Sequence, residues 1–597
     1  MLSRCSILAF LVAFLLPFFL SYCTGKPAKP LSWAALGLIA SSEADGAGSG
    51  SSGPGETIDP EPTASSEGIA SCVEEDNAIF VSFDNGSNAN SGVTASMPVK
   101  TISYALTLAA SGDTLCIQNR DGNATYDESA ATLVIPSGVS LVGGFDSSWS
   151  HTDTRTLILG SPIALRYTNL NGDAELNTIS VEAVNPSQSS QDSMALRIVY
   201  GTATLSIKNV SLVSGDIVAG APEEDQPGSS YGIYVFELAK LDIIDSQING
   251  GRGGDGGAGA DGDVGEDGAP GDPGATTPDC ITDTYGAPGG SGGLHPSFES
   301  LNGHKGGDGG DLLTSGSPGA ASSGEGPCGG SPSTPGDTPP DGSNATCSGD
   351  AGDAGEDAMA FVSGPGAMND FYVPVSGSPG DSGESGVPGS AGGGGAAHTC
   401  FTCNDAPGNG GGGGGAAGSG GQGGRPGNGG GGSFAIYATN VDLTLESTVL
   451  LSSQGGNGGP SGNGGPGGSG GDGGPGSDNC GGYGAGGGDG GSGGDGGPGG
   501  DGSGGSGGPS IALVLVESTL TLEDLTLESG NGGSGGESRN GRSGDGGHSY
   551  AIYASNVSLI PDLSEVTLST GSPGAPGSNT GTGPSGNTGT AATQYSP

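Results

Sequence analysis

Ser433-Phe-Ala-Ile-Tyr-Ala-Thr-Asn-Val-Asp-Leu-Thr-Leu-Glu-Ser447 is the stretch on which the reading of this chain turns. It opens on a serine, runs through small and branched apolar residues, and ends in an alternating Leu-x-Leu run, the period of a strand with one buried face. The same plan returns at Ser161, Ser193, Ser230, Ser510 and Ser549. One such segment cannot bury its apolar face alone, so recurrence points to stacked copies with a continuous core. Stacking places Ile436, Leu443 and Leu445 over Leu513, Leu520 and Leu522, and those over Ile552, Val557 and Leu559.

The spacing between segments is uneven, and Gly-rich sequence fills each long gap, as between Ser230 and Ser433 and between Ser433 and Ser510. The glycine tracts therefore read as excursions between coils. They have an order of their own: from Gly455 to Gly476 the pattern is Gly-Gly-X with Asn457, Pro460, Asn463, Pro466, Ser469, Asp472 and Pro475 at X, and from Gly250 to Gly274 a glycine recurs at every third residue. A period of three suits an extended left-handed helix with three residues per turn. Bare glycine faces let such rods exchange backbone hydrogen bonds, and Pro fits at X where that edge meets water. Disorder and a collagen-like triple helix are the competing readings. The order resembles the glycine-rich regions of mycobacterial surface proteins and of some glycine-rich antifreeze proteins.

Upstream, Ala78 to Ser82 reads as a strand, Thr101 to Ala109 as a helix with Ile102, Ala105, Leu106 and Ala109 on one face, and Thr114 to Gln118 as a strand again. Ile79 to Ile117, with Leu141-Val-Gly-Gly-Phe-Asp-Ser-Ser-Trp149, resembles the start of right-handed parallel β-helix proteins of the pectin-lyase-like superfamily and their bacterial surface members. The resemblance implies an all-β right-handed parallel β-helix with an N-terminal helix capping the coils, to which the spacing adds long Gly-Gly-X excursions.

Composition bounds the function. The 597 residues include 132 Gly and 39 Pro, and 15 Lys plus Arg against 64 Asp plus Glu give a net charge of −49, which argues against a nucleic-acid partner. Ile7 to Leu20 is an apolar run too short to span a bilayer. The adjoining Leu20-Ser21-Tyr22-Cys23 resembles a bacterial lipoprotein signal, with Tyr22 where that pattern prefers a small residue; an ordinary secretory signal is the alternative. The expected organisation is a signal peptide at 1–22, a tether at 23–75, cap and first coils at 76–249, a glycine-rich insertion at 250–432 holding a degenerate coil at 357–375, a coil at 433–454, a Gly-Gly-X insertion at 455–509, last coils at 510–570 and a Gly/Ser/Thr-rich tail at 571–597.

Chemistry is sparse. Cys72, Cys116, Cys280, Cys328, Cys347, Cys400, Cys403 and Cys480 are candidates for disulfides outside the cytoplasm, with Cys72–Cys116 the favoured pair. His398-x-Cys400-x-x-Cys403 has three groups of metal-ligand type but reads as a disulfide staple. Gly306 to Leu313 matches a calcium nonapeptide once, with Asp308 and Asp311 as candidate ligands for loosely held Ca²⁺; no other cofactor is expected. In place of the paired carboxylates of polysaccharide-degrading relatives, Asp245 and Asp524 follow strand runs without an evident partner, so no catalytic residues are assigned. Tyr231, Tyr234, Phe236, Phe434, Tyr437, Tyr550 and Tyr553 repeat at matching places, as a sugar-binding ladder or as packing. The expectation is a non-catalytic exported lipoprotein, lipid-anchored through Cys23 at the outer membrane or cell surface, serving as a stalk for display or for adhesion to an extracellular glycan or host matrix; the alternative is a carbohydrate-binding or polysaccharide-degrading protein.

Overall fold

The computed structural model describes residues 77–217, 225–279, 283–312, 314–321, 328–336, 339–359, 367–368, 371–398, 405–479, 484–557 and 563–597. The strands outside one small antiparallel pair belong to a single sheet of 19 strands, paired in parallel throughout and curled. Three ladders compose it. The first holds Ala78–Val81, Thr114–Gln118, Ser140–Phe145 and Ala174–Asn177, and continues through the later parts of Ser193–Lys208 and Ser230–Ile244 to Ser433–Ser452 and Thr519–Ser529. The second runs from Tyr126–Glu128 through Thr156–Gly160, Ile179–Ala183, Ser211–Val213 and Gln247–Gly250 to Val566–Thr570. The third runs from Leu133–Ile135 and Ile163–Leu170 through the serine-led starts to Ser510–Val516, Ser549–Ser555 and Ala591–Tyr595.

The register follows the alternation in the sequence. Ile436 opposes Leu513, Leu443 opposes Leu520, Leu445 opposes Leu522, and Leu513 opposes Ile552. Their inward neighbours form one apolar core from Ile79 to Ala554, within which Ile436, Leu443, Leu513 and Ile552 are wholly buried. Each fully buried Leu or Ile contributes about 1.5–3 kcal/mol. At the N-terminal end, helix Ile102–Leu108 lays Ile102, Ala105 and Leu106 against this core. Thr101 caps it by accepting the Tyr104 N–H, and Glu128 Oε1 accepts the Ile102 N–H at 2.8 Å, which satisfies two amides that a helix start leaves open.

Single left-handed residues turn the corners. Asn169, Tyr200, Glu237, Asn440, Glu517 and Asn556 have positive φ at one corner; Thr178, Asn209, Asp245, Ser447 and Asp524 do so at the next. Asn and Asp tolerate this conformation best, which accounts for Asp245 and Asp524: they are turn residues of one column.

The third corner carries the excursions. The chain leaves the sheet after Gln247–Gly250, Ser433–Ser452, Thr519–Ser529 and Val566–Thr570, and returns at Ser433, Ser510, Ser549 and Ala591. Serines clasp these mouths. Ser193, Ser230, Ser433, Ser510 and Ser549 are wholly buried and consecutive in register. Ser230 Oγ lies 2.7 Å from Ser214 Oγ, Ser510 Oγ 2.9 Å from Ser452 Oγ, and Ser549 Oγ 2.9 Å from Ser529 Oγ; Ser433 Oγ accepts the Ser453 N–H at 2.8 Å. Ser230, Ser510 and Ser549 thus join the exit of one pass to the entry of the next, and Ser433 ties the entry of its own pass to its exit.

Within the excursions the chain forms extended rods that hydrogen-bond to one another at every third residue. Gly256, Gly259, Gly262 and Gly265 donate to the carbonyls of Asn457, Pro460, Asn463 and Pro466 at 2.7–2.8 Å. A rod at 410–431 runs against both: Asn428, Arg425, Gln422 and Ser419 donate to Gly257, Ala260, Asp263 and Glu266, and accept from Gly459, Gly462, Gly465 and Gly468. The rods at 485–508 and 377–395 bond to the same central rod along its other sides. Opposed directions and pairing within one chain exclude a collagen arrangement of the described tracts.

Glycine content follows the surroundings. The rod at 254–275, on the flank, keeps one glycine per triplet; the rod at 455–476, with more neighbours, keeps two; Gly410–Gly415, enclosed on every side, is unbroken glycine. An added Cβ at Gly468 would collide with the Glu266 carbonyl, and one at Gly414 with the Gly389 carbonyl.

Segment 357–375, expected as a degenerate coil, differs. Its Ala367–Met368 and Tyr372–Val373 form a separate antiparallel pair, and Met368 and Tyr372 pack on the outer face of the third ladder. Met368, Phe371 and Tyr372 cover the sheet from outside instead of extending the core within.

Candidate functional site

The repeated aromatics lie on that outer face. Tyr231, Tyr234, Phe434, Tyr437 and Tyr550 are almost fully buried. Tyr231 stacks on Phe434 with centroids 5.1 Å apart, and Tyr234 is sandwiched between Tyr437 at 6.0 Å and Phe371 at 4.2 Å. Tyr372 closes the layer by donating its hydroxyl to the Gly430 carbonyl at 3.1 Å, and burial pushes its phenol well above the usual range. The ladder is a second core between sheet and glycine rods. Its buried rings present no open face to a sugar.

Side chains with free outer surfaces gather at the first corner instead. A groove of about 550 Å³ is lined by Tyr200, Glu237, Asp442, Glu517 and Thr519 among others. Three of these lining side chains, Tyr200, Glu237 and Glu517, project from left-handed corner residues. Tyr200 is half exposed and meets Phe236 edge-on at 5.5 Å. Asp442 accepts from Thr519 Oγ1 at 2.6 Å. On the adjoining strand Lys240 Nζ lies 3.0 Å from Asp242, whose hydrogen bond and charge raise the Lys240 pKa. A ring, hydroxyls and carboxylates on one shelf offer polar and stacking contacts to a polar ligand. No signal singled this groove out in the sequence, because its members come from five passes.

The calcium candidates have backbone partners. Asp308 Oδ1 accepts the Gly289 N–H and Asp311 Oδ1 the Gly286 N–H, each at 2.8 Å, and Lys305 Nζ lies 2.8 Å from Asp308. Burial opposes ionisation of Asp308, but the Lys305 and Gly289 hydrogen bonds outweigh it and hold the carboxyl below the usual range. Among the described residues no group of three or more His, Cys, Asp or Glu could hold a metal ion.

Many acidic residues do the same work, unrecognised in the sequence. Asp255, Asp261 and Asp267, six apart, accept the N–H groups of Asn457, Asn463 and Ser469 at 2.6–2.7 Å. The X positions between them are Pro460 and Pro466, which have no N–H to satisfy. Asp489, Asp495 and Asp501 likewise accept from Gly476, Gly470 and Gly464 at 2.8 Å. The alternation of Asn and Pro was the available signal.

Cys328 and Cys347 are joined in a disulfide. Cys116 is also disulfide-bonded, and its partner lies outside the described residues, as do Cys23, Cys72, Cys280, Cys400, Cys403 and Cys480. No helix among the described residues is long and apolar enough to cross a membrane.

These features define a class: an all-β protein on a curled parallel sheet that carries a slab of glycine-rich rods. No family model and no curated protein matches the sequence. Among solved structures the chain is similar to a rhamnogalacturonan lyase at 12% identity and a TM-score of 0.13, over 29% of this chain and 68% of that one. A likeness of that degree carries no argument for fold or activity.

Proposed function

We propose that this is an exported, non-catalytic surface lipoprotein in which a right-handed parallel β-helix of the pectin-lyase-like kind, capped by Ile102–Leu108, acts as a stalk and the glycine slab as a rigid display or adhesion body. Cys23 is its lipid anchor, and the mature chain stands at the outer membrane or cell surface. The observation that carries this reading is the slab's construction: rods touch backbone to backbone and are clasped to the sheet by the serine column. Such a body suits holding a shape outside the cell, where a net charge of −49 keeps it hydrated. The partner class is an extracellular glycan or host matrix.

An array of glycans and matrix proteins, probed with the purified mature chain, tests the role; protease shaving of intact cells tests the location. Retention of one matrix or glycan class with surface exposure supports the proposal. A chain shielded from protease in intact cells contradicts it. The corner groove supports a second reading, polysaccharide binding or cleavage. Release of products from a polysaccharide, lost in Lys240→Met, would favour it.

A further inference from the structure

Arg166 and Arg197 stand directly opposite one another on neighbouring strands of the third ladder. Parallel strands lie about 4.8 Å apart, so two like-charged side chains start from neighbouring positions on one face, an unfavourable arrangement unless something compensates it. The chain has 64 acidic residues for 15 basic ones, and other cations use them: Arg252 pairs with Asp255, Arg539 with Asp501 and Arg542 with Asp545, all at 2.7 Å. Arg166 and Arg197 have no ion pair or hydrogen bond among the described residues, and the Nε of each is buried with no partner. Asp192 acts on Arg197 electrostatically, but its Oδ1 accepts the Ser229 N–H at 2.8 Å and it makes no hydrogen bond to the guanidinium.

On one side in register the outer face beside the pair is open. Below Arg166 in register is Val134, 46% exposed. Above Arg197 is Tyr234, covered by the stacked Phe371, where the glycine insertion begins to cover the ladder. Both arginine side chains remain partly open to solvent. A guanidinium is a planar fork that matches an oxyanion with two parallel N–H bonds. We infer that the pair binds one dianionic oxyanion, free phosphate or the phosphate of a monoester, whose two negative charges balance the two forks. A carboxylate, with one charge, leaves the second fork uncompensated. The inference stands independently of the surface role proposed above.

Calorimetry on the full exported chain tests it, at pH 8 and constant ionic strength, with inorganic phosphate, a sugar phosphate monoester and acetate as probes. The expected result is one site for phosphate, at least about tenfold weaker for acetate, and weakened about tenfold or more in Arg166→Gln and in Arg197→Gln. Tighter binding of the ester than of the free ion marks an esterified ligand as the source; the reverse marks a free anion. Absence of phosphate and ester binding, equal affinity for acetate, or unchanged affinity in the glutamine variants overturns the inference. Far-ultraviolet circular dichroism checks that the variants fold. Arg166→Lys and Arg197→Lys, which keep the charge and lose the fork, serve if they do not.

Discussion

The curled parallel sheet and the glycine slab satisfy the same backbone groups in opposite ways. In the sheet, strands pair edge to edge, and side chains such as Leu443 and Leu513 fill the core it curls around. In the slab, rods touch on several sides, and there is no space to fill: Gly414 lies where a Cβ would strike a carbonyl. The sheet therefore draws its stability from apolar burial, and the slab from hydrogen bonds and close backbone contact. Glycine loses more conformational freedom on folding than any other residue, so the slab is poorly placed to order alone. The serine column, which clasps the mouths where the chain leaves and re-enters the sheet, offers the template.

The contrast predicts inverted mutational sensitivity. The largest effect is expected for Gly414→Val in the enclosed rod, roughly 3–5 kcal/mol by denaturant unfolding, because the obstacle is backbone and cannot rotate aside. A loss under 1 kcal/mol would show that the rods are loosely packed. Next is Leu513→Ala in the coil, about 3 kcal/mol from lost burial and the cavity left behind. Smaller again is Asp261→Ala, about 1 kcal/mol, since the Asn463 N–H and Nδ2 lose their acceptor. Pro466→Ala, on the rod of Asn463 and exposed, should fall within about 0.5 kcal/mol, and a comparable loss there would break the acceptor rule.

Acid should separate the two regions most gently. Burial opposes ionisation of Asp501, yet hydrogen bonds from Arg539 and the Gly464 N–H hold its carboxyl below the ordinary 3.8. Asp308 is lowered in the same direction. Their folded pKa lies below the unfolded one, so their contribution is present above about pH 4 and is lost as pH falls through the lower folded values. Amide exchange near Asp501 and Asp308 should therefore accelerate on acidification before exchange in the coils, once corrected for intrinsic pH dependence. Simultaneous loss would contradict a separate role for these carboxylates.

Much of the sheet was legible because a strand declares its buried face every second residue: Ile436, Leu443 and Leu445 declared theirs, and Ser193, Ser230, Ser433, Ser510 and Ser549 open strands, whereas Ser161 lies ahead of its strand Ile163–Leu170. Glycine period also announced rods. Their neighbours were not legible, since Asp261 finds Asn463 across 202 residues and nothing local encodes that pairing. The aromatic ladder left two readings open because its cover, Phe371 and Tyr372, comes from a distant insertion that resembled a coil. The arginine pair was hidden for a similar reason: Arg166 and Arg197 meet only after two passes are aligned.

Residue-resolved hydrogen exchange on the intact chain tests the central claim most directly. The account predicts that the amides of 410–431 are protected to a degree comparable with those of Ser433–Ser452, with the pattern repeating along the rods bonded to them. Exchange of the 410–431 amides at unstructured-chain rates, while the strand stays protected, would contradict it.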